Sequence, residues 1–411
     1  MDRIAAWVHE TDLRSDAETP DPSDSPADQR RRSACDASFV AGLNADAPTS
    51  PYTEVSENLS YGSVVRTRIL PAMKLPINMC RYERHGDWYG GLPSEAEALA
   101  EEALAFARGY GVITRKQMRA IRAKRPELNL GLDKETVCKY LCAPSRRKEL
   151  GGDMCDFTSQ GLLGGTRLCA MEGGIDRKWY EYSHWPILSS CISHSVHSES
   201  FRLEDLQNAV VFDVVKQEIN YGRVQASADL AICFKPSEVM TAAAKRLHEV
   251  FSPLTHASFP TLNFFHPVGR LLDPVAVSVQ TSAKFAESRL DSILLWVHAH
   301  FQLLARLARF AGVDPPVSLP VLPLLKVEGD VWALYLAHCH QPDRPRDEDD
   351  WGIDVYQICS AVVDETYGIL KVVAIILLVI DYVHVTYRPF LEDLAKRITE
   401  RDLSQLLAST S

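Results

Sequence analysis

The chain has 411 residues, which is enough for two or three average domains or for one large α/β domain with an attached tail. Its apolar fraction of 46% and charged fraction of 24% indicate a packed core and exclude disorder along the whole chain. The formal charge is −10, and residues 11–60 hold ten acids and four arginines, so the remainder is close to neutral. A near-neutral body excludes a general attraction to nucleic acids or membranes, and any such attraction must come from a local patch.

Two features of the sequence bear on the cellular compartment. The first residues, MDRIAAWVHETD, lack the basic start and long apolar run of a signal peptide, and the ten cysteines form no CxxC pair. The most apolar run, residues 372–380, is far shorter than the roughly 20 residues of a membrane span and predicts a buried core helix. We therefore expect an intracellular protein of the nucleus or cytoplasm, with reduced thiols, neither secreted nor bound to a membrane.

The domain organisation follows from a change in composition along the chain. Residues 11–60 are rich in Asp, Ser, Pro and Ala and bury too little apolar area to offset the loss of chain entropy. We predict a largely disordered acidic tail over residues 1–75 and one folded domain over residues 76–400.

The first predicted helix begins at Ser94, where Ser94-Glu-Ala-Glu97 has the pattern of a capping box, and ends at Gly109. A short basic helix follows over residues 115–125, with six cations in eleven residues. Its charges either face solvent and pair with nearby acids, contact nucleic-acid phosphates or act as a nuclear-import signal. The residues that would contact phosphates are Arg115, Lys116, Arg119 and Arg122.

The second half of the chain alternates predicted strands with long helices. The doublet Gly164-Gly165 predicts a turn, and a helix is expected over residues 176–192. A hairpin is expected with its turn at Glu328-Gly329, followed by a strand near 351–358 and a terminal helix. Further strands are expected at 209–215, 228–234 and 274–281, with a long helix over 285–310.

Four of these segments carry motifs whose order and spacing resemble a known family. They are Asp176..Trp179-Tyr180..Ser183-His184, Ala228-Asp229-Leu230, the run DPVAVSVQTS at 273–282, and Ser292-Ile293..Trp296-Val297-His298-Ala299-His300. Fungal PD-(D/E)XK nuclease-like proteins show E..WN..VH, VDY, RPIxVSIETK and QLxxWxxAxW in the same order. The resemblance extends from about residue 85 to residue 392.

The resemblance implies an α/β restriction-endonuclease-like core, in which a central mixed sheet is flanked by helices, and Mg²⁺-assisted phosphodiester hydrolysis. Asp229 occupies the first acid position, but Gln280 replaces the second acid and Ser282 replaces the lysine. Asp176 stands at the glutamate position of the helix motif. The family pattern would therefore assign a metal ion to Asp229, Asp176 and the amide oxygen of Gln280. Lys284 lies two residues beyond Ser282 and could replace the missing cation if the strand continues that far.

Three functions are compatible with this degenerate motif. The preferred hypothesis is a catalytically inactive nuclease-like fold that binds DNA or RNA or interacts with another protein. The first alternative is an active Mg²⁺-dependent nuclease that uses Asp229, Asp176, Gln280 and Lys284. The second alternative is a structural scaffold that binds no nucleic acid, which the acidic net charge favours.

Overall fold

A computed structural model of the chain describes a set of residues that all belong to one compact unit within 64–411. The described residues are 67–68, 77–81, 92–112, 149–151, 156–173, 176–207, 209–211, 227–251, 262–263, 265–266, 273–283, 290–313, 317–340 and 352–408. The predicted tail over residues 1–75 falls almost entirely outside these ranges, as do the basic segment 115–125 and Lys284. Those predictions therefore remain predictions.

Eight strands form one mixed sheet in the order β1-β2-β10-β9-β8-β7-β5-β3, and β4 and β6 form a separate two-stranded ladder. The strands are β1 (Thr67–Arg68), β2 (Ile77–Arg81), β3 (Phe201–Asp205), β4 (Val210–Val211), β5 (Leu230–Phe234), β6 (Phe265–His266), β7 (Val275–Ser282), β8 (Leu322–Glu328), β9 (Val331–His340) and β10 (Gly352–Val362). In the large sheet β7 runs parallel to β8 and β2 parallel to β10, whereas the other neighbouring strands are antiparallel. The prediction of a central mixed sheet is confirmed.

Helices flank this sheet, as the resemblance implied. The α-helices among the described residues are α1 (Ser94–Ala107), α2 (Asp156–Met171), α3 (Asp176–Trp179), α4 (Trp185–His194), α5 (Glu238–Phe251), α6 (Leu290–Phe310), α7 (Thr366–Tyr382), α8 (Arg388–Glu400) and α9 (Leu403–Ala408). Single π-helical turns, Tyr180–His184 and Val383–Tyr387, join α3 to α4 and α7 to α8. The helix expected over residues 176–192 is thus confirmed as a continuous helical segment.

The core lies between the sheet and its helices, and its most apolar elements are the ones that the sequence marks. Every residue of β5 and β7 is buried, as expected for central strands covered on both faces. The continuous helix Tyr367–Glu400 is long and apolar enough to cross a membrane, but 78% of its most apolar window is buried inside the protein. The run at 372–380 is therefore a buried core helix, as predicted.

Three local predictions are corrected by the structure. Ser94 does not cap α1, because its hydroxyl contacts Glu95 while Pro93 precedes the helix. Gly164 and Gly165 lie inside α2 and not in a turn. A Cβ at Gly165 would stand 2.0 Å from the backbone oxygen of Tyr182, so this glycine allows two helical segments to approach closely. The hairpin turn falls one residue later than expected, at Gly329 and Asp330.

Candidate functional site

The candidate site lies at one edge of the sheet, where β7 ends and β5 begins. The two strands are antiparallel, and Leu230 of β5 pairs with Val279 of β7. Asp229 immediately precedes β5, so it lies beside the last residues of β7. This edge also receives the end of β8, because β8 runs parallel to β7. The residues that the resemblance predicts for the site converge here, and we call Asp176, Asp229, Gln280 and Ser282 the β7 edge.

Asp229 is buried and bonded to the strand beside it. Its Oδ2 accepts a hydrogen bond of 2.7 Å from the backbone N–H of Thr281 and a longer one of 3.4 Å from the Thr281 hydroxyl. Only 9% of Asp229 is exposed. A buried carboxylate is costly unless hydrogen bonds compensate for its lost hydration, and these two donors supply part of that compensation.

Asp176 reaches the same edge from helix α3. It is the first residue of that helix, and its Oδ1 accepts a hydrogen bond of 2.5 Å from the backbone N–H of Ala283, one residue beyond β7. The structure therefore brings Asp176 and Asp229 to the end of the same strand, as the family pattern implied. Both carboxylates accept hydrogen bonds from backbone N–H groups there, those of Thr281 in β7 and of Ala283 just after it.

Gln280 and Ser282 are both buried, with 2% and 6% of their surface exposed. Because side chains alternate along a strand, Ser278, Gln280 and Ser282 share one face of β7, and Thr281 belongs to the other. That face is packed against α6, since the indole N–H of Trp296 donates to the Ser278 hydroxyl at 3.0 Å. Gln280 and Ser282 thus lie on the face of β7 that packs against α6.

Two residues of this edge were not predicted from the sequence. Tyr180, which occupies the asparagine position of the helix motif, is half-buried and hydrogen-bonded to Asp205 at the end of β3. Burial, that hydrogen bond and the negative charges of Asp205 and Asp229 raise the pKa of Tyr180, so its hydroxyl stays protonated. An acid at the end of a strand-like run, as in FRLED, was the available signal for Asp205.

The neighbouring strand β8 brings two further charges to the edge. Lys326 is in register with Gln280, and Glu328 is in register with Ser282. The ammonium of Lys326 lies 2.6 Å from a carboxylate oxygen of Glu328. The signal in the sequence was the alternation of LLKVE, in which two charged residues on one strand face follow an apolar run.

The aromatic residues of the helix motif belong to the core. Trp179 is buried and stacks on His184 with ring centroids 5.8 Å apart. The Nε2–H of His184 donates to the carbonyl oxygen of Gly329 at 2.9 Å, which ties the helix to the β8–β9 turn. Desolvation lowers the pKa of His184 to about 4. Trp179, His184 and Trp296 are therefore all buried in the core.

Comparison with known proteins agrees with this arrangement. A family model described as the PD-(D/E)XK nuclease superfamily matches residues 153–388, which is more than half of the chain. The chain therefore belongs to the PD-(D/E)XK nuclease superfamily. No curated protein and no solved structure matches the chain.

Nucleases of this superfamily typically use Mg²⁺, but the residues of the β7 edge do not fit such an ion in this arrangement. Mg²⁺ is held in proteins by carboxylate oxygens, and here Gln280 offers only a neutral amide. The Oδ2 of Asp229 already accepts two hydrogen bonds, and the Oδ1 of Asp176 accepts another. Within the part of the chain that the structure describes, no group of three His, Cys, Asp or Glu residues could hold a metal ion.

Proposed function

We propose that this chain is a nuclease-like protein that no longer cleaves phosphodiester bonds and that acts as an intracellular nucleic-acid-binding or interaction module. The observation that carries the proposal is the use of both aspartates at the β7 edge. Asp229 bonds the N–H of Thr281 and Asp176 bonds the N–H of Ala283, so both carboxylates hold the end of a strand. A carboxylate used in this way contributes to folding and is less available to a metal ion.

The replaced motif residues support the same proposal. Metal-assisted hydrolysis needs charges that stabilise the developing negative charge of the transition state. Gln280 has no negative charge for a metal ion, and Ser282 has no positive charge for the phosphate. Either replacement alone would weaken catalysis, and the chain carries both.

Nucleic-acid binding is proposed from the fold and from the basic segment. The superfamily fold is compatible with nucleic-acid contact, and Arg115, Lys116, Arg119 and Arg122 form a dense group of cations in the sequence. If they contact phosphates, Arg119→Glu with Arg122→Glu should weaken DNA or RNA binding uniformly across sequences and reduce its salt dependence. Unchanged affinity and salt dependence would show that these charges face solvent only.

Catalysis is tested by incubating the full chain with plasmid and single-stranded DNA in the presence of Mg²⁺ or Mn²⁺. We expect no cleavage above that of an Asp229→Ala control. Robust cleavage that depends on both the metal and Asp229 would contradict the proposal and would favour the active nuclease, with Lys284 as the replacement cation.

A restoration experiment sharpens this test. The double variant Gln280→Glu with Ser282→Lys recreates the family's acid and lysine on one strand face. Gain of Mg²⁺ binding and of cleavage that depends on Asp229 would show that only the two replaced side chains block catalysis. A folded double variant without either property would show that the scaffold has changed as well.

A further inference from the structure

The motif strand β7 has neither the acid nor the lysine of the family, but its parallel neighbour β8 carries a lysine and an acid beside these two positions, in reverse order. Lys326 is paired in register with Gln280, and Glu328 with Ser282. Residues in register on adjacent strands point to the same face of a sheet. One carboxylate and one ammonium are therefore present on the face where the family places its own, displaced by one strand spacing, which is about 4.8 Å.

The two side chains of this pair differ in how far they are exposed to solvent. The side chain of Lys326 is 15% exposed and that of Glu328 is 42% exposed, and their charged atoms are 2.6 Å apart. A lysine commonly buries its aliphatic stem while its ammonium stays close to water. Glu328 is the more exposed partner, so an anion that reaches the ammonium from the side of Glu328 must displace its carboxylate.

We propose that Lys326 is the cation of this site and contacts a phosphate group of bound nucleic acid, with Glu328 as the counter-ion that the phosphate displaces. This inference rests on the proposed function. An ammonium is a compact charge that binds phosphate through charge-assisted hydrogen bonds. The nearby carboxylates of Asp229 and Asp176 oppose an anion, and their hydrogen bonds to backbone N–H groups offset part of that repulsion.

The first test measures binding of fluorescent single-stranded and duplex DNA by the full chain over a range of salt concentrations. Lys326→Gln should weaken binding about tenfold and reduce the salt slope by about 1. Lys326→Arg should keep most of the affinity, because the positive charge remains. Glu328→Gln should tighten binding severalfold, because the phosphate no longer competes with a carboxylate.

Lys235→Gln is the matched control. Lys235 follows β5 at the opposite end of that strand from Asp229, and its ammonium lies 4.0 Å from Glu199. This variant also loses one lysine from an ion pair, so it should leave the affinity within twofold of that of the unmodified chain. A loss as large as that of Lys326→Gln would show that only the total charge matters and would overturn the proposal.

Opposite changes in DNA affinity in Lys326→Gln and Glu328→Gln distinguish a phosphate site from a purely structural ion pair. If Lys326 and Glu328 only stabilise the fold, both glutamine variants should lower the unfolding temperature alike and shift DNA affinity in the same direction. That result, or DNA binding that neither variant changes, would overturn the proposed role of Lys326. It would leave the proposed nucleic-acid-binding function intact.

A second measurement uses inorganic phosphate as the probe. Phosphate should raise the unfolding temperature of the unmodified chain more than that of Lys326→Gln. If the chain binds no DNA but phosphate still stabilises it through Lys326, the nucleic-acid function fails and the phosphate site remains. If phosphate stabilises both proteins equally and DNA is not bound, both proposals fail.

Discussion

Asp229 beside the end of β7 and His298 in the middle of helix α6 are both buried polar side chains. Asp229 accepts hydrogen bonds, whereas His298 has no hydrogen-bond partner among the described residues. At the β7 edge, the buried carboxylate of Asp229 accepts hydrogen bonds from the N–H and the hydroxyl of Thr281. In α6, His298 is 1% exposed, and neither ring nitrogen has a hydrogen-bond partner among the described residues. Backbone donors at the strand end favour a charged group, whereas desolvation in α6 lowers the pKa of His298 to about 4 and keeps it neutral.

The two regions should therefore lose stability for different reasons, one on substitution and the other in acid. Buried Asp229 replaces lost hydration with hydrogen bonds from Thr281, and exposed Asp176 accepts one from the N–H of Ala283, so removing either side chain should destabilise the protein. The buried histidines are tolerated only while they remain uncharged, so acid should destabilise the protein. The following predictions test the two halves of this comparison.

The largest expected effect is the loss of stability in acid. Desolvation lowers the pKa of His184 and His298 to about 4 and that of His300 to about 3, from an ordinary value of 6.5. Below pH 6.5 these histidines therefore bind protons in the unfolded chain but remain neutral in the folded chain. Stability should be fully present above pH 6.5 and should fall as the pH drops towards 4, by about 1.4 kcal/mol per pH unit for each histidine.

Urea unfolding followed by tryptophan fluorescence at pH 7.5, 5.5 and 4.5 measures this dependence. The control is His298→Leu. In this variant the free energy of unfolding should fall less steeply with decreasing pH, by the contribution of one histidine, about 1.4 kcal/mol per pH unit. A variant with the same slope as the unmodified chain would show that His298 is not kept neutral by burial.

The second prediction concerns the same histidine at neutral pH. His298→Leu replaces a buried polar ring, unpartnered among the described residues, with an apolar side chain of similar size, and should raise the free energy of unfolding by about 1 to 2 kcal/mol. His300→Leu is the matched comparison, because Nε2 of His300 bonds the hydroxyl of the buried Tyr387 at 2.8 Å. That variant should lower stability, and equal effects of the two substitutions would contradict the distinction between them.

A smaller effect is expected at the helix side of the β7 edge. Asp176→Ala removes the acceptor for the N–H of Ala283 from an exposed position and should lower the free energy of unfolding by about 1 kcal/mol. Hydrogen exchange at the Ala283 amide should become faster, whereas Asp176→Asn keeps an oxygen acceptor and should preserve most of its protection. Unchanged exchange in Asp176→Ala would show that the contact does not hold the end of β7.

Much of the fold could be predicted because its strongest patterns are local. Residue spacing alone predicts the buried strand β7, the long amphipathic helix α6 and the buried apolar segment of α7. The motif order then placed Asp176, Asp229, Gln280 and Ser282 at one edge of a sheet, and the structure brings those four together.

Errors arose where a residue's role depends on a distant segment. Gly164 and Gly165 were predicted to form a turn because glycine usually favours turns. In the structure, Gly165 is needed because the backbone of Tyr182 approaches it too closely for a side chain. Lys326 and Glu328 were missed because their importance comes from their register with β7. A sequence shows the face of a strand on which a residue lies, but it does not show which strand will be its neighbour.

The most direct test of the central claim is the unfolding of the unmodified chain and Asp229→Asn, each with and without Mg²⁺. If Asp229 holds the end of β7, the variant keeps an oxygen acceptor but loses the charge, so it should be less stable by about 1 kcal/mol. Mg²⁺ should change the stability of neither protein. A variant that is more stable than the unmodified chain without metal, together with a rise in stability of the unmodified chain in Mg²⁺, would contradict the account and identify Asp229 as a metal ligand.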